Sequence, residues 1–246
     1  MNVSLYQAAS ALTANSRWQE MISQNLASSA IPGFKKQELS FSAVEAGLMP
    51  ANAQGIRHMS MPRATASTSF LPGEMRSTGA KTDLGLEGPG FFEVQLPNGS
   101  SAYTRDGEFR LSAQGQLVTK QGHLVLGDSG PLQMDLNNPA PLTVSSNGEV
   151  SQGADVKGRL KLMDFNNPKL LTQVGGGLFL AGDPNLLATP ASGASVRQGW
   201  LEGSNASPVT EMANLMSAMR TFEANQRIIQ IQDDRLGKAI TQIAGS

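Results

Sequence analysis

The sequence predicts an α+β fold: a mainly antiparallel β central domain inserted between N- and C-terminal α-helices that pair as a coiled-coil-like unit. Three observations carry this. Apolar residues step by alternating threes and fours from Met212 to Ile243. The same stepping occurs at the other end of the chain, and the residues between are rich in Gly, Pro and short alternating runs. Steps of three and four place side chains on one helix face, whereas alternation places them on one face of a strand.

The N-terminal stripe reads Met1, Leu5, Ala8, Leu12, Ile22 and Leu26, with Asn15 and Gln19 as polar interruptions. Asn2 to Ser28 contains no Gly or Pro, which suits a helix of about seven turns at roughly 3.6 residues each. The stretch from about Ser40 to Gly73 mixes Ala, Ser, Thr, Met and Pro with little periodicity, and reads as an extended arm or linker. From Phe91 short strands follow one another. Asn98-Gly99 and Asn147-Gly148 supply residues tolerant of positive φ for tight hairpins, and Asp106-Gly107, Gly115, Gly122 and Gly127 to Gly130 mark further breaks. Arg159 to Phe165 is a longer strand candidate, and Gly175 to about Gly193 is irregular. Turn signals at this spacing point to an antiparallel sandwich or barrel-like domain. The C-terminal stripe reads Met212, Leu215, Met219, Phe222, Ile229, Leu236, Ile240 and Ile243, broken only by Gln226 and Asp233. The resulting division is 1–36 with 203–246 as a helical assembly domain, 37–75 as the arm, and 76–202 as an outer β domain.

Periodicity alone is also satisfied by helices that pack onto their own domain. Polar residues at a-type positions favour helix–helix assembly, because they fix register and oligomer state at some cost in stability. The composition agrees with close packing against protein. Charged residues are 16% of the chain, against about 25% in a typical domain. A net charge of −1 gives no electrostatic case for nucleic acid or an anionic membrane. Residues 201–246 carry four Lys/Arg and five Asp/Glu, which also disfavours lipid as a partner of the last helix. Cysteine is absent, so disulfides, thiolate catalysis and cysteine-ligated zinc are excluded. The N-terminus lacks the basic region, apolar core and small-residue cleavage site of a secretory signal, so no cleaved leader is expected.

Sites for chemistry are sparse. Gly127-Asp128-Ser129-Gly130-Pro131 looks like the nucleophile segment of chymotrypsin-like proteases, but only His58 and His123 could serve as base. The same residues are what a hairpin turn requires. Two separated histidines make no metal site, Asp233-Asp234 reads as solvated helix surface, and Gly175-Gly176-Gly177 lacks the Lys-Ser/Thr of a phosphate loop. Trp18 and Trp200 read as packing anchors rather than ligand-stacking residues. No catalytic, cofactor or metal residue is predicted, and the chain is expected not to be an enzyme.

Particular strings resemble the axial proteins of the bacterial flagellum. Leu5-Tyr6 and Ala8-Ala9-Ser10, then Asn25-Leu26-Ala27 followed by Pro32-Gly33-Phe34-Lys35, are similar to that family's first helix and the turn after it. Asp83-Leu84, Gly88-Pro89-Gly90-Phe91-Phe92, Tyr103-Thr104-Arg105-Asp106-Gly107 with Phe109, and Gly115 through Gly122 resemble the central block of rod and hook proteins. Gly199, Leu201-Glu202, Ser204-Asn205, Val209, Glu211-Met212, Arg220 and Phe222-Glu223-Ala224-Asn225 are similar to its C-terminal stretch. Gln24, Ser28 and Ile31 depart from the family's usual residues in the turn after the first helix, and residues 168–196 match nothing in it. The modest length and the lack of a long insertion point to a rod protein rather than a hook protein, and to the proximal rod type rather than the distal.

The resemblance implies a structural subunit of the flagellar basal-body rod. It implies export through the type III apparatus without a cleaved signal, helical stacking into a hollow torque-transmitting shaft spanning the periplasm, and partners among its own copies and other rod and hook proteins. Leu5, Leu12, Ile22 and Leu26 would meet Met212, Leu215, Met219, Phe222, Ile229, Leu236 and Ile240, within a subunit and between neighbours. Free subunits would carry partly disordered helices that fold on assembly. The competing readings are a hook-type subunit, a secreted β-rich hydrolase, which requires a pocket with convergent polar groups, and a membrane-surface protein, which requires basic helix faces.

Overall fold

The computed structural model describes residues 3–49 and 57–244. They form two compact units, each built from segments distant in sequence. The first comprises 1–27, 37–68 and 207–246; the second comprises 28–36 and 69–206.

In the first unit, helix α1 (Val3–Ala27) packs against helix α2 (Pro208–Ala244) and against an antiparallel hairpin of β1 (Gln37–Met49) and β2 (Arg57–Thr68). The hairpin pairs Gln37 with Thr68 at its base and Met49 with Arg57 at its far end, with one register shift between Glu45 and Gly47. The segment read from sequence as an extended arm is thus paired strand. α2 begins on Ser207-Pro208, where the missing proline N–H and fixed φ suit the first helical position. Glu211 in its first turn favours the positive end of the helix dipole.

The second unit is mainly antiparallel β. Its central strands are β3 (Met75–Ser77), β4 (Leu84–Glu87), β5 (Phe91–Gln95), β6 (Ser101–Thr104), β7 (Phe109–Leu111), β8 (Leu117–Thr119) and β9 (Leu124–Gly127). The main sheet runs Thr172–Gly175, Leu178–Leu180, β6, β5, β9, β8, β7, and Leu162–Phe165 also pairs with β5. Leu142–Val144, Glu149–Gln152 and Asp155–Arg159 form a separate meander, while Ser195–Gln198 pairs with β4 and Trp200–Glu202 with β3. The predicted strand from Arg159 to Phe165 is split between the meander and the main sheet. The bridge of Leu160 to Gly127 marks the crossing.

Two apolar cores flank β5, because successive strand residues point to opposite faces. Phe92 enters the larger core with Leu84, Leu86, Val94, Leu117, Val125 and Val150, its ring edge-on to Phe109 at 5.2 Å. Phe91 enters the smaller one with Tyr103, Phe165, Leu171 and Phe179, and Phe70 packs on it. The Phe91-Phe92 pair therefore serves both cores, and adjacent aromatics on a strand bounded by the buried Gly90 signal burial on both sides. Among the described residues no helix is long and apolar enough to cross a membrane.

Candidate assembly site

The helical unit presents two different faces on α2. On the inner face Ala218 is fully buried and Glu211 nearly so, with Leu215, Phe222, Asn225 and Ile229 half-buried. These positions step by alternating fours and threes, a coiled-coil spacing. On α1 the buried residues are Ala14, Asn15, Met21, Ile22 and Asn25, with Leu12 and Leu26 half-buried. Asn15 Nδ2 donates to the Ala218 carbonyl at 3.1 Å, so a side chain of α1 reads the backbone of α2 where α2 carries only a methyl group.

Away from that inner stripe α2 keeps large apolar side chains in solvent. Val209, Met212, Met216, Met219, Ile228 and Ile231 are each about half exposed or more, Met216 at 57%. The sequence-predicted stripe is divided by this geometry. Leu215, Phe222 and Ile229 lie on the inner side, Met212 and Met219 on the outer, and Glu223 is exposed. The side chains of Leu5, Leu236, Ile240 and His58 lie outside the described residues.

Asn25 ends the α1 stripe with a second backbone contact. Its Nδ2 donates to the Gln37 carbonyl at 2.8 Å and its Oδ1 accepts the Gln37 N–H at 2.9 Å. One amide side chain thereby pairs with both backbone groups of Gln37 at the base of the hairpin, its NH2 as donor and its oxygen as acceptor. Ala27 is exposed at the helix end.

In the β-rich unit the motif strings converge on one buried cluster. Lys35 Nζ lies 2.6 Å from Glu202 Oε1 and donates to the Leu71 carbonyl at 2.8 Å. Glu202 Oε1 also accepts the Gly73 N–H at 2.8 Å, and Glu202 Oε2 accepts from Arg105 at 3.3 Å. Arg105 donates further to the Leu86 and Gly88 carbonyls and lies over the Phe91 ring. The Lys35 and Glu202 side chains are 2% and 1% exposed. Burial pulls the Lys35 ammonium and the Arg105 guanidinium below their ordinary ranges, and Glu202 opposes both shifts. Two cations share one carboxylate where water is excluded, so Glu202 is the member whose loss leaves charge uncompensated.

The neighbouring motif residues complete this joint. Gly33 donates its N–H to the Glu202 carbonyl at 2.7 Å with φ +65°, and a Cβ there would fall 2.2 Å from the Arg105 carbonyl carbon. A Cβ at Gly107 would lie 1.8 Å from the Leu84 carbonyl oxygen. Phe34 is buried, and Pro32 is half-buried beside it. Asn205 donates to the Ser69 and Leu71 carbonyls while its Oδ1 accepts the Lys36 N–H. Thr104 Oγ1 donates to the Gly177 carbonyl and accepts the Asp106 N–H. The Tyr103 ring meets Phe165 edge-on at 4.8 Å.

Asp106 is 5% exposed, and its Oδ1 accepts the Glu108 N–H at 2.9 Å. Burial raises its carboxyl from the ordinary 3.8 to about 6; the Glu108 N–H opposes this, and the Glu108 charge adds to it. The folded chain therefore binds this proton more tightly than the unfolded chain. The group's contribution is most favourable below about pH 4 and is lost as pH rises through about 6. Asp106→Asn is expected to gain on the native chain by about 2–3 kcal/mol between pH 4 and pH 7. Urea unfolding across that range checks it; a pH-independent difference would refute it.

The protease-like string lies in a turn of the β-rich unit. Ser129 is exposed in the tight turn joining β9 to Gly130-Pro131, and His123 is half-buried just before β9. Among the described residues no group of His, Cys, Asp and Glu could hold a metal ion. Lys35, Glu202 and Asn205 were visible in the sequence only as parts of strings. Nothing in their local pattern signals that they meet, since Lys35 and Glu202 are 167 residues apart.

Residues 85–152 match the family model of the flagellar hook protein FlgE/F/G D1 domain, and residues 197–242 match the flagellar basal body rod FlgEFG protein C-terminal model. The chain is 35% identical to the flagellar basal-body rod protein FlgG of Borreliella burgdorferi over 96% of each chain. It is 33% identical to the flagellar basal-body rod protein FlgF of Caulobacter vibrioides over 91% of each. It is 30% identical to the Escherichia coli protein of the same name over 97% of each.

Proposed function

The chain belongs to the flagellar basal-body rod protein family, and from that premise we propose that it joins the rod by burying the outer face of α2 against neighbouring subunits. It is a structural rod subunit, located in the flagellar basal body. The terminal helices pair along Asn15 and Ala218 as a coiled-coil-like unit, and successive subunits stack helically into a hollow shaft that transmits torque. A head-to-tail contact that does not close on itself generates such a filament. The subunit reaches its place through the type III export apparatus, its helices order on assembly, and the shaft spans the periplasm. Other rod and hook proteins are its neighbours above and below.

One observation carries this reading: α2 already uses one face against α1 and still exposes Met212, Met216, Met219, Ile228 and Ile231 on others. Fully burying each such side chain contributes about 1.5–3 kcal/mol. The test is quantitative mass spectrometry of purified basal bodies from cells whose only copy carries Met216→Asp. The variant chain is expected to fold, since Met216 is 57% exposed. Its peptides are expected to fall at least about tenfold relative to the native chain, as a charge left in a dry contact costs well over 1.4 kcal/mol. Native copy number would overturn the proposal.

A further inference from the structure

The helical unit also contains a seat of the right kind for that outer face. Between α1 and the hairpin lies a groove of about 240 Å³, lined by Arg17, Glu20, Met21 and Gln24 of α1 and by Leu39 and Ala66 of the strands. Its lining is mixed: Met21, Leu39 and Ala66 are apolar, Gln24 and Gln37 carry amides, and Arg17 and Glu20 carry charge. It has room for side-chain ends but not for a helix, whose diameter is about 10 Å. Flexible methionines suit such an irregular space.

Charge selects the orientation. Arg17 and Glu20 are exposed on the groove rim, and Arg220 and Glu223 are exposed beside the Met212, Met216, Met219 ridge. Among the described residues none of these four has an ion-pair partner. Each pair is three residues apart, a rise of about 4.5 Å on either helix. Laid antiparallel, Arg17 meets Glu223 and Glu20 meets Arg220. Laid parallel in the same alignment, like charges oppose. The chain's own α2 has its inner face committed to α1 at Ala218.

We propose that the groove between α1 and the hairpin receives the methionine ridge of α2 from a second copy of this chain, antiparallel, with Arg17 facing Glu223 and Glu20 facing Arg220. This rests on the reading that the chain assembles through its terminal helices. Exposed pairs add little affinity, so their effect is to exclude the wrong register through like-charge repulsion.

The test uses cells whose only copy of the chain carries Arg17→Glu, Glu223→Arg, or both. Each single reversal is expected to lower copies per basal body by about fivefold or more, and the double to return within about twofold of native. A double variant worse than either single would overturn the proposal and point to a different axial protein in the groove. Silent single reversals would also overturn it; if Met216→Asp still blocks incorporation, the assembly reading stands without this pairing. If Met216→Asp is silent as well, the reading beneath it fails too. A second measurement needs no repulsion. The chain has no cysteine, so Glu20→Cys with Arg220→Cys in one chain is expected to give disulfide-linked oligomers on oxidation of intact rods. Chains that stay monomeric under those conditions would contradict the seat.

Discussion

Glu202→Ala is expected to destabilise the β-rich unit by about 3–5 kcal/mol, the cost of breaking a buried ion pair from one side. In a unit of this size that lowers the melting temperature by roughly 10–20 °C. The reason lies in what remains. Lys35 loses its 2.6 Å partner and Arg105 its 3.3 Å partner, while Lys35 stays fully buried and Arg105 keeps only 10% of its side chain exposed. The Gly73 N–H loses its acceptor as well. Glu202→Gln keeps an acceptor for Gly73 and should fall between. Glu74→Ala supplies the contrast, because its side chain is 81% exposed and its ion pair with Arg76 spans 3.9 Å. That change is expected within about 0.5 kcal/mol of native. Thermal unfolding of the three variants checks the ordering. A Glu202→Ala chain as stable as Glu74→Ala would mean that the cluster is not what joins the two ends of the β-rich unit.

Leu215→Asp or Ile229→Asp is expected to abolish incorporation into basal bodies while leaving the β-rich unit folded. Both residues sit on the inner face of α2, half-buried in the stripe that includes Ala218. A carboxylate there must either lose water without a partner or pull the helix off α1, at a cost of several kcal/mol. The β-rich unit has its own core from Leu84 to Val196 and does not draw on α2 for it. The variant should therefore keep the native near-ultraviolet dichroism of Tyr103 and its phenylalanine neighbours. Cells relying on it should be non-motile, with its peptides absent from purified basal bodies. Normal motility would show that the inner stripe does not hold the assembling unit together.

The parts of this fold that were legible in the sequence are those with a period or a turn residue. Both helices follow from threes and fours, and the hairpin between β5 and β6 follows from Asn98-Gly99. Leu142–Val144 and Glu149–Gln152 likewise flank Asn147-Gly148. The β1–β2 hairpin was not legible as paired strand. Its alternation is confined to short runs such as Leu39 to Ala43 and Ala64 to Ser67, mostly of small side chains, and seven residues separate Met49 from Arg57, so no tight-turn signal joins the two strands. The inner face of α2 was legible only in part. Leu215, Phe222 and Ile229 belong to two seams that differ by one residue at every other position. Met212 and Met219 look better than Glu211 and Ala218 on hydrophobicity alone. The structure takes the second seam, where the smallness of Ala218 lets Asn15 reach its carbonyl. The first seam's methionines are thereby left outward, which is what an assembling helix requires. The Lys35–Glu202–Arg105 cluster had no pattern to betray it, because buried charges carry no period. Only the convergence of three strings at one joint reveals why each contains the residue it does.

The most direct test is electron cryo-microscopy of purified basal bodies at a resolution that shows side chains. The expected map has α1 and α2 paired within each subunit, and the Met212, Met216 and Met219 ridge buried against a neighbouring subunit. A shaft in which that ridge faces solvent, with subunits joined through their β-rich units alone, would contradict assembly through the terminal helices.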